Sequence, residues 1–182
     1  MNGSGSPTGQ WRGLPWFEGR PTKAPAEDCP HCGRPVTIYP RKLSSSMARN
    51  LVRLFWLRQK YPDKPFFHVK EFDKEGARGE FGVLSFWGLV EGSRNESDGA
   101  KRTSGMWVLT PFGQAFVRRE AEIPHYVLVG LRSSLQGYAG PMVDIKTCLE
   151  YRNRFRYDEL MGADYGKGVQ LLLDMSMGPK NT

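Results

Sequence analysis

The chain has 182 residues, 39% of them hydrophobic and 12% aromatic, with a formal net charge of +7. That is enough apolar material for one packed domain with tails, which excludes a wholly disordered chain, and no apolar run reaches the ~20 residues that span a bilayer. Three cysteines cannot all pair within one chain, and the N-terminus lacks a basic segment followed by an apolar one, so the expected setting is a reducing cytoplasm.

The charge is unevenly placed. Residues 29–71 hold nine basic and two acidic side chains and carry the whole excess, while residues 1–28 and 72–182 each balance to zero. A concentrated excess points to a polyanionic partner. A solvated basic face with no partner is the plainer explanation.

Residues 1–26 are rich in Gly, Pro, Ser and Thr and read as a flexible arm. Trp11, Trp16 and Phe17 are out of place in a linker and are expected to dock on the chain's own domain, with a partner as the alternative. Residues 27–43 follow, opening with "EDCPHCGRP", in which Cys29 and Cys32 form a C-x-x-C turn. A redox pair of the thioredoxin type needs a helix running through the motif, because the helix N-terminus lowers the pKa of the first thiol. Gly33 and Pro35 oppose that helix. A zinc knuckle fits better, since a tight turn lets two thiolates meet one tetrahedral ion. The other ligands are missing from the local sequence: His31 and Cys148 are weak candidates, and His68 and His125 are the remaining histidines. A symmetric homodimer would supply two cysteines from each chain. A reduced pair without metal stays open beside the zinc reading.

Residues 44–120 read as one domain. "SSSMARNLVRLFWLRQKYPDKP" predicts a helix with Ser46 as N-cap and an apolar stripe of Met47, Leu51, Leu54 and Phe55, stopped by Pro62 and Pro65. A second row, Arg49, Arg53, Trp56 and Lys60, places cations around an aromatic ring, a pattern that can track phosphates. Exposed arginines on any helix give the same row. "PFFHVKEF" predicts a short extended piece and a short helix. "KEGARGEFGVLSFWG" predicts a third helix, with Phe81, Val83, Leu84, Phe86 and Trp87 packing and Gly88 ending it. "LVEG" and "MWVLT" predict two strands joined by the polar loop 93–105. Thr110 and Pro111 cap and open a further helix, with Phe112, Phe116 and Val117 inward. Residues 121–182 form an extension: strands at "IPHYVLVG" and "GPMVDIKTCL", a helical "KTCLEYRNRFRYDELMG", and a last short helix at "GVQLLLDMSM".

The order of elements over residues 44–120 resembles a winged helix-turn-helix, and "GLVEG" followed by "WVLTPFGQAF" is similar to the ending of MarR-like domains. The fold class expected is therefore α+β and α-rich: a winged helix-turn-helix core, a C-x-x-C turn before it and a small β-containing extension after it. More broadly, "CPHCGRPVTIYPRKLSSSMARNLV", "YVLV" after "IPHY", and "RFRYDELM" resemble a family of small, uncharacterised bacteriophage proteins. That resemblance implies a bacterial cytoplasm during infection and no particular chemistry.

In a winged helix the third helix enters the major groove. If Phe81, Leu84 and Trp87 face inward, Arg78, Gly82 and Ser85 face outward, and only Arg78 can present paired donors to a base edge. The other cations are Arg41 and Lys42 before the first helix, the Arg49–Arg53–Lys60 row, and Lys101 and Arg102 in the wing. Backbone contacts with little sequence preference follow from this set. The sequence holds no recognisable Ser-His-Asp set, H-E-x-x-H site, G-x-x-x-x-G-K-[ST] loop or G-x-G-x-x-G turn after a strand. The expectation is a non-enzymatic nucleic-acid-binding accessory or regulatory protein, with DNA ahead of RNA. The alternative is a winged-helix interaction module that modulates a host factor such as a polymerase or a defence component.

Overall fold

A computed structural model describes residues 16–17, 21, 24–28, 32–73, 80–93, 105–130 and 134–162. In chain order the described elements are β1 (Trp16–Phe17), β2 (Ala24–Asp28), β3 (Pro35–Lys42), α1 (Ser45–Lys60), β4 (Phe67–His68), α2 (Val69–Phe72) and a 3₁₀ helix (Phe81–Trp87). Then come β5 (Val90–Gly92), β6 (Met106–Leu109), α3 (Pro111–Val117), β7 (Ile123–Val129), β8 (Leu135–Val143), α4 (Ile145–Leu149), a 3₁₀ turn (Tyr151–Asn153) and α5 (Tyr157–Met161). The fold is mixed α/β with two small, largely antiparallel sheets. Helix and strand take comparable shares of the described residues, so the expected excess of helix is absent from them. No helix among the described residues is long and apolar enough to cross a membrane.

Two compact units make up the chain: Met1–Lys42 with Pro124–Pro141, and Leu43–Ile123 with Met142–Thr182. The first is a five-stranded sheet in the order β1-β8-β7-β3-β2. Residues 16–17 and 24–26, read from composition as arm, lie in strands here. β1 pairs in parallel with β8, Trp16 opposite Tyr138 and Phe17 opposite Ala139. Trp11 lies outside the described residues. Pro25 is tolerated in β2 because β2 ends the sheet order, where a missing N–H costs no central ladder bond. β3 divides its partners. Its first half pairs with β2, from Pro35 opposite Asp28 to Ile38 opposite Ala24. Its second half, Tyr39 to Lys42, pairs antiparallel with Val129 to Tyr126 of β7. β8 starts at Leu135, ahead of the expected strand at Gly140. Gly140 has φ +81 and sits where a Cβ would come within 2.9 Å of the Tyr126 ring, so the glycine there lets two strands approach closely.

The second unit is built around α1. Its cap is Ser44, not Ser46: the Ser44 hydroxyl accepts the Met47 N–H at 3.3 Å, and Ser45 and Ser46 are already helical. Ten of its sixteen residues are buried, including Met47, Ala48, Leu51, Val52, Leu54, Phe55 and Leu57. Apolar residues on nearly every side let α1 pack against β6 and α2 to α5 at once. The three-stranded sheet has β6 between β4 and β5, with Trp107 opposite both Phe67 and Gly92. His68 caps α2: its Nδ1 accepts the Lys70 N–H, and Glu71 accepts the His68 N–H at 2.7 Å. The third helix is a 3₁₀ helix. Its three-residue turn stacks Phe81, Leu84 and Trp87 in one buried line and leaves Val83 and Phe86 only half-buried. Gly88, left-handed at φ 69, ends it. Thr110 caps α3 as expected, accepting the Gly113 N–H at 2.9 Å. Phe116 and Val117 are buried and Phe112 half-buried. The Tyr157 hydroxyl closes this core by donating to the Val117 carbonyl at 2.9 Å.

Candidate nucleic-acid interface

On the five-stranded sheet the expected cations are at the surface. Arg41 and Lys42 are exposed at the end of β3, and Arg34 is exposed in the turn before it. Tyr39 is 47% exposed; among the described residues only Tyr151, at 45%, is a large apolar side chain of similar exposure. Tyr39 and Arg41 are two residues apart on a strand, so they leave the same face of the sheet. His125, on β7, lies within reach of the Lys42 charge. Burial first, and that charge second, hold its imidazole below the ordinary histidine range.

The row on α1 is different, and the expectation of an exposed basic stripe is corrected. Arg49 is 9% exposed, with its guanidinium 4.3 Å above the centre of the Phe155 ring. Arg53 donates to the Phe72 carbonyl at 3.2 Å and to the Asn50 side chain at 3.4 Å, which satisfies an orphan carbonyl at the end of α2. Trp56 donates its indole N–H to the Leu160 carbonyl at 3.0 Å. Lys60 is half-buried, with its ammonium 4.7 Å from the Tyr61 ring centre. Two neighbours follow suit: Arg58 donates to the Lys64 carbonyl at 2.8 Å, and Lys64 pairs with Glu71 at 2.7 Å. The row is a packing seam that joins α1 to α2, α5 and the chain leading into α5.

Arg78, Lys101 and Arg102 lie outside the described residues. Ser85 is exposed, and its hydroxyl donates to the Gly82 carbonyl at 2.7 Å. The described outward face of the 3₁₀ helix is therefore Gly82, Val83, Ser85 and Phe86, without a charged donor.

Cys32 is exposed, at the turn between β2 and β3. The chain runs from this turn into a strand, so the helix a thioredoxin-type pair requires does not follow the motif. Cys29 and His31 lie outside the described residues. Cys148 is 3% exposed in α4, a small apolar side chain in the core of its unit. His68 is used as a helix cap, and His125 is on β7. Among the described residues no group of three His, Cys, Asp or Glu side chains could hold a metal ion.

One cluster escaped the sequence reading. Between α4 and α5, Arg152, Arg154 and Arg156 are all exposed, beside the exposed Tyr151. The Arg152 guanidinium lies 5.4 Å from the centre of the Tyr151 ring. The signal is the alternation in "RNRFR", masked by the equal numbers of acidic and basic side chains across residues 72–182. Asp144 caps α4, the helix that precedes the segment. Its carboxylate accepts the Thr147 N–H and hydroxyl at 2.8 and 2.7 Å and pairs with Arg119 at 2.9 Å. Burial pushes its pKa up, but those hydrogen bonds and the Arg119 charge outweigh it and leave Asp144 below the ordinary carboxylate value.

No known protein family, curated protein or solved structure matches the chain.

Proposed function

We propose that this is a non-enzymatic nucleic-acid-binding accessory protein that grips the sugar-phosphate backbone with little sequence preference, DNA ahead of RNA. The observation that carries this is the exposed set Arg34, Tyr39, Arg41 and Lys42 on and before β3. Cations on an exposed strand release counterions from a phosphate chain, and an aromatic ring among them offers a base something to stack on. The interface is thus moved from α1 to β3. The setting that fits is a bacteriophage protein in the host cytoplasm, as the likeness in "CPHCGRPVTIYPRK" and "RFRYDELM" implies. The second unit is read as a winged helix-turn-helix. Its support is the order α1, β4, α2, 3₁₀ helix, β5, β6, α3, with β6 between β4 and β5.

A mobility-shift titration with duplex and single-stranded DNA at about 50 and 200 mM salt tests the reading. With three phosphate contacts, from Arg34, Arg41 and Lys42, affinity for duplex falls about fortyfold across that range. Absence of binding at the lower salt sinks it.

A second reading has one observation in its favour. The helix that would enter a groove presents Gly82, Val83, Ser85 and Phe86, a face suited to an apolar protein contact and not to base edges. In that case the winged-helix unit docks on a host protein. A pull-down from nuclease-treated host lysate separates the two: a protein partner is retained under the second reading and lost under the first.

A further inference from the structure

We propose that the turn Tyr151–Arg156 is a second phosphate-gripping surface, taking the backbone of the same nucleic-acid strand class; this rests on the nucleic-acid reading above. Three observations converge on it. The first is the state of its cations. Arg154 is exposed and has no ion pair or hydrogen bond among the described residues. Arg156 is 79% exposed, and its 3.8 Å contact with the equally open Glu159 is the kind of surface pair that contributes little. Arg152 rests on the Tyr151 ring, which leaves the guanidinium edge available to an oxygen ligand.

The second observation is backbone strain. Arg152 has φ 60 and ψ 32, the left-handed conformation that glycine adopts freely and other residues adopt at a cost of about 1–3 kcal/mol. Arg119, at φ 63, is the other non-glycine residue there among the described ones. Arg119 has an internal use, since it pairs with Asp144 and lies over the Tyr157 ring. Among the described residues Arg152 has no comparable internal use, so a strained arginine stands where glycine would fit better. An outward ligand accounts for it.

The third observation is how the turn is held. Phe155 lies under the Arg49 guanidinium, and Tyr157 is buried with its hydroxyl on the Val117 carbonyl. These two residues pin the segment while Arg154 and Arg156 stay outside. The nearby acids are partly engaged elsewhere: Lys146 contacts Glu150 at 3.7 Å and Asp158 at 3.3 Å. Arginine suits the task, because its planar fork matches two phosphate oxygens where a lysine offers a point charge.

The salt dependence of binding tests this. For wild type and for the triple variant Arg152→Gln/Arg154→Gln/Arg156→Gln, the slope of log affinity against log salt is measured on one duplex and on one single strand. Loss of three contacts makes the duplex slope shallower by about 2.7, and the single-strand slope by about 2.1. The triple lysine variant keeps most of the slope while binding more weakly. A merely structural role lowers the melting temperature and leaves the slope unchanged. Should the triple variant unfold, Arg154→Gln alone still decides, with an expected slope change of about 0.9 on duplex. A wild-type protein that binds with the same slope as the variants overturns the turn and leaves β3 standing. A wild-type protein that binds neither strand overturns both.

Discussion

Two stretches of this chain carry arginines at short, regular spacing, and they have opposite fates. On α1, Arg49, Arg53 and Lys60 are drawn into packing, cap a neighbouring helix or cover an aromatic ring. In the turn before α5, Arg152, Arg154 and Arg156 remain at the surface. The difference lies in what surrounds them. α1 is apolar on nearly every side, so any cation on it is folded into an interface and must find a carbonyl or a ring. The turn has only Phe155 and Tyr157 to bury, and its arginines are left over. A row of charges is therefore a binding surface only where its own element has a face to spare.

The largest test of this contrast is stability. Arg49→Ala removes a buried guanidinium from the Phe155 ring and should cost about 2–4 kcal/mol, whereas Arg154→Ala should stay within about 0.5 kcal/mol. Urea midpoints at constant m-value measure both, and equal effects would erase the contrast. A smaller effect is expected at the seam between α1 and α5. Trp56→Phe leaves the Leu160 carbonyl without its donor, at a cost of about 1–2 kcal/mol.

Acid should loosen the start of α4. Asp144 has a folded pKa below its unfolded value of about 3.9, so its contribution is complete above that value and is lost as pH falls through the folded one. The acid limb of the stability curve should flatten in Asp144→Asn. His125 gives the smallest effect and the sharpest report on β3. Its folded pKa lies below the unfolded value of about 6.5, so the unfolded chain takes the proton first and stability declines as pH drops from about 6.5 to the folded value. Phosphates neutralising Lys42 should raise the His125 pKa, read from its ring-proton shifts with and without an oligonucleotide. An unchanged midpoint argues against an anion at Lys42.

Much of the second unit was legible. The α1 stripe, the Thr110–Pro111 start of α3 and the Gly88 stop are local signals with local causes. What misled was long-range. Nothing within "MARNLVRLFWLRQK" says that the Arg49 face meets Phe155 more than a hundred residues later, although apolar residues all round the helix were a hint. The strict three-residue step of Phe81, Leu84 and Trp87 was a 3₁₀ signal read as α-helix. β1 and the first half of β8 were concealed by Gly and Pro, whose place in a sheet is settled by strands elsewhere in the chain.

Backbone amide shifts during titration with a short oligonucleotide test the central claim most directly. The account predicts perturbation over residues 34–42 and 151–156, with the amides of α1 unmoved. Shifts confined to residues 45–60, with both of those segments silent, would contradict it.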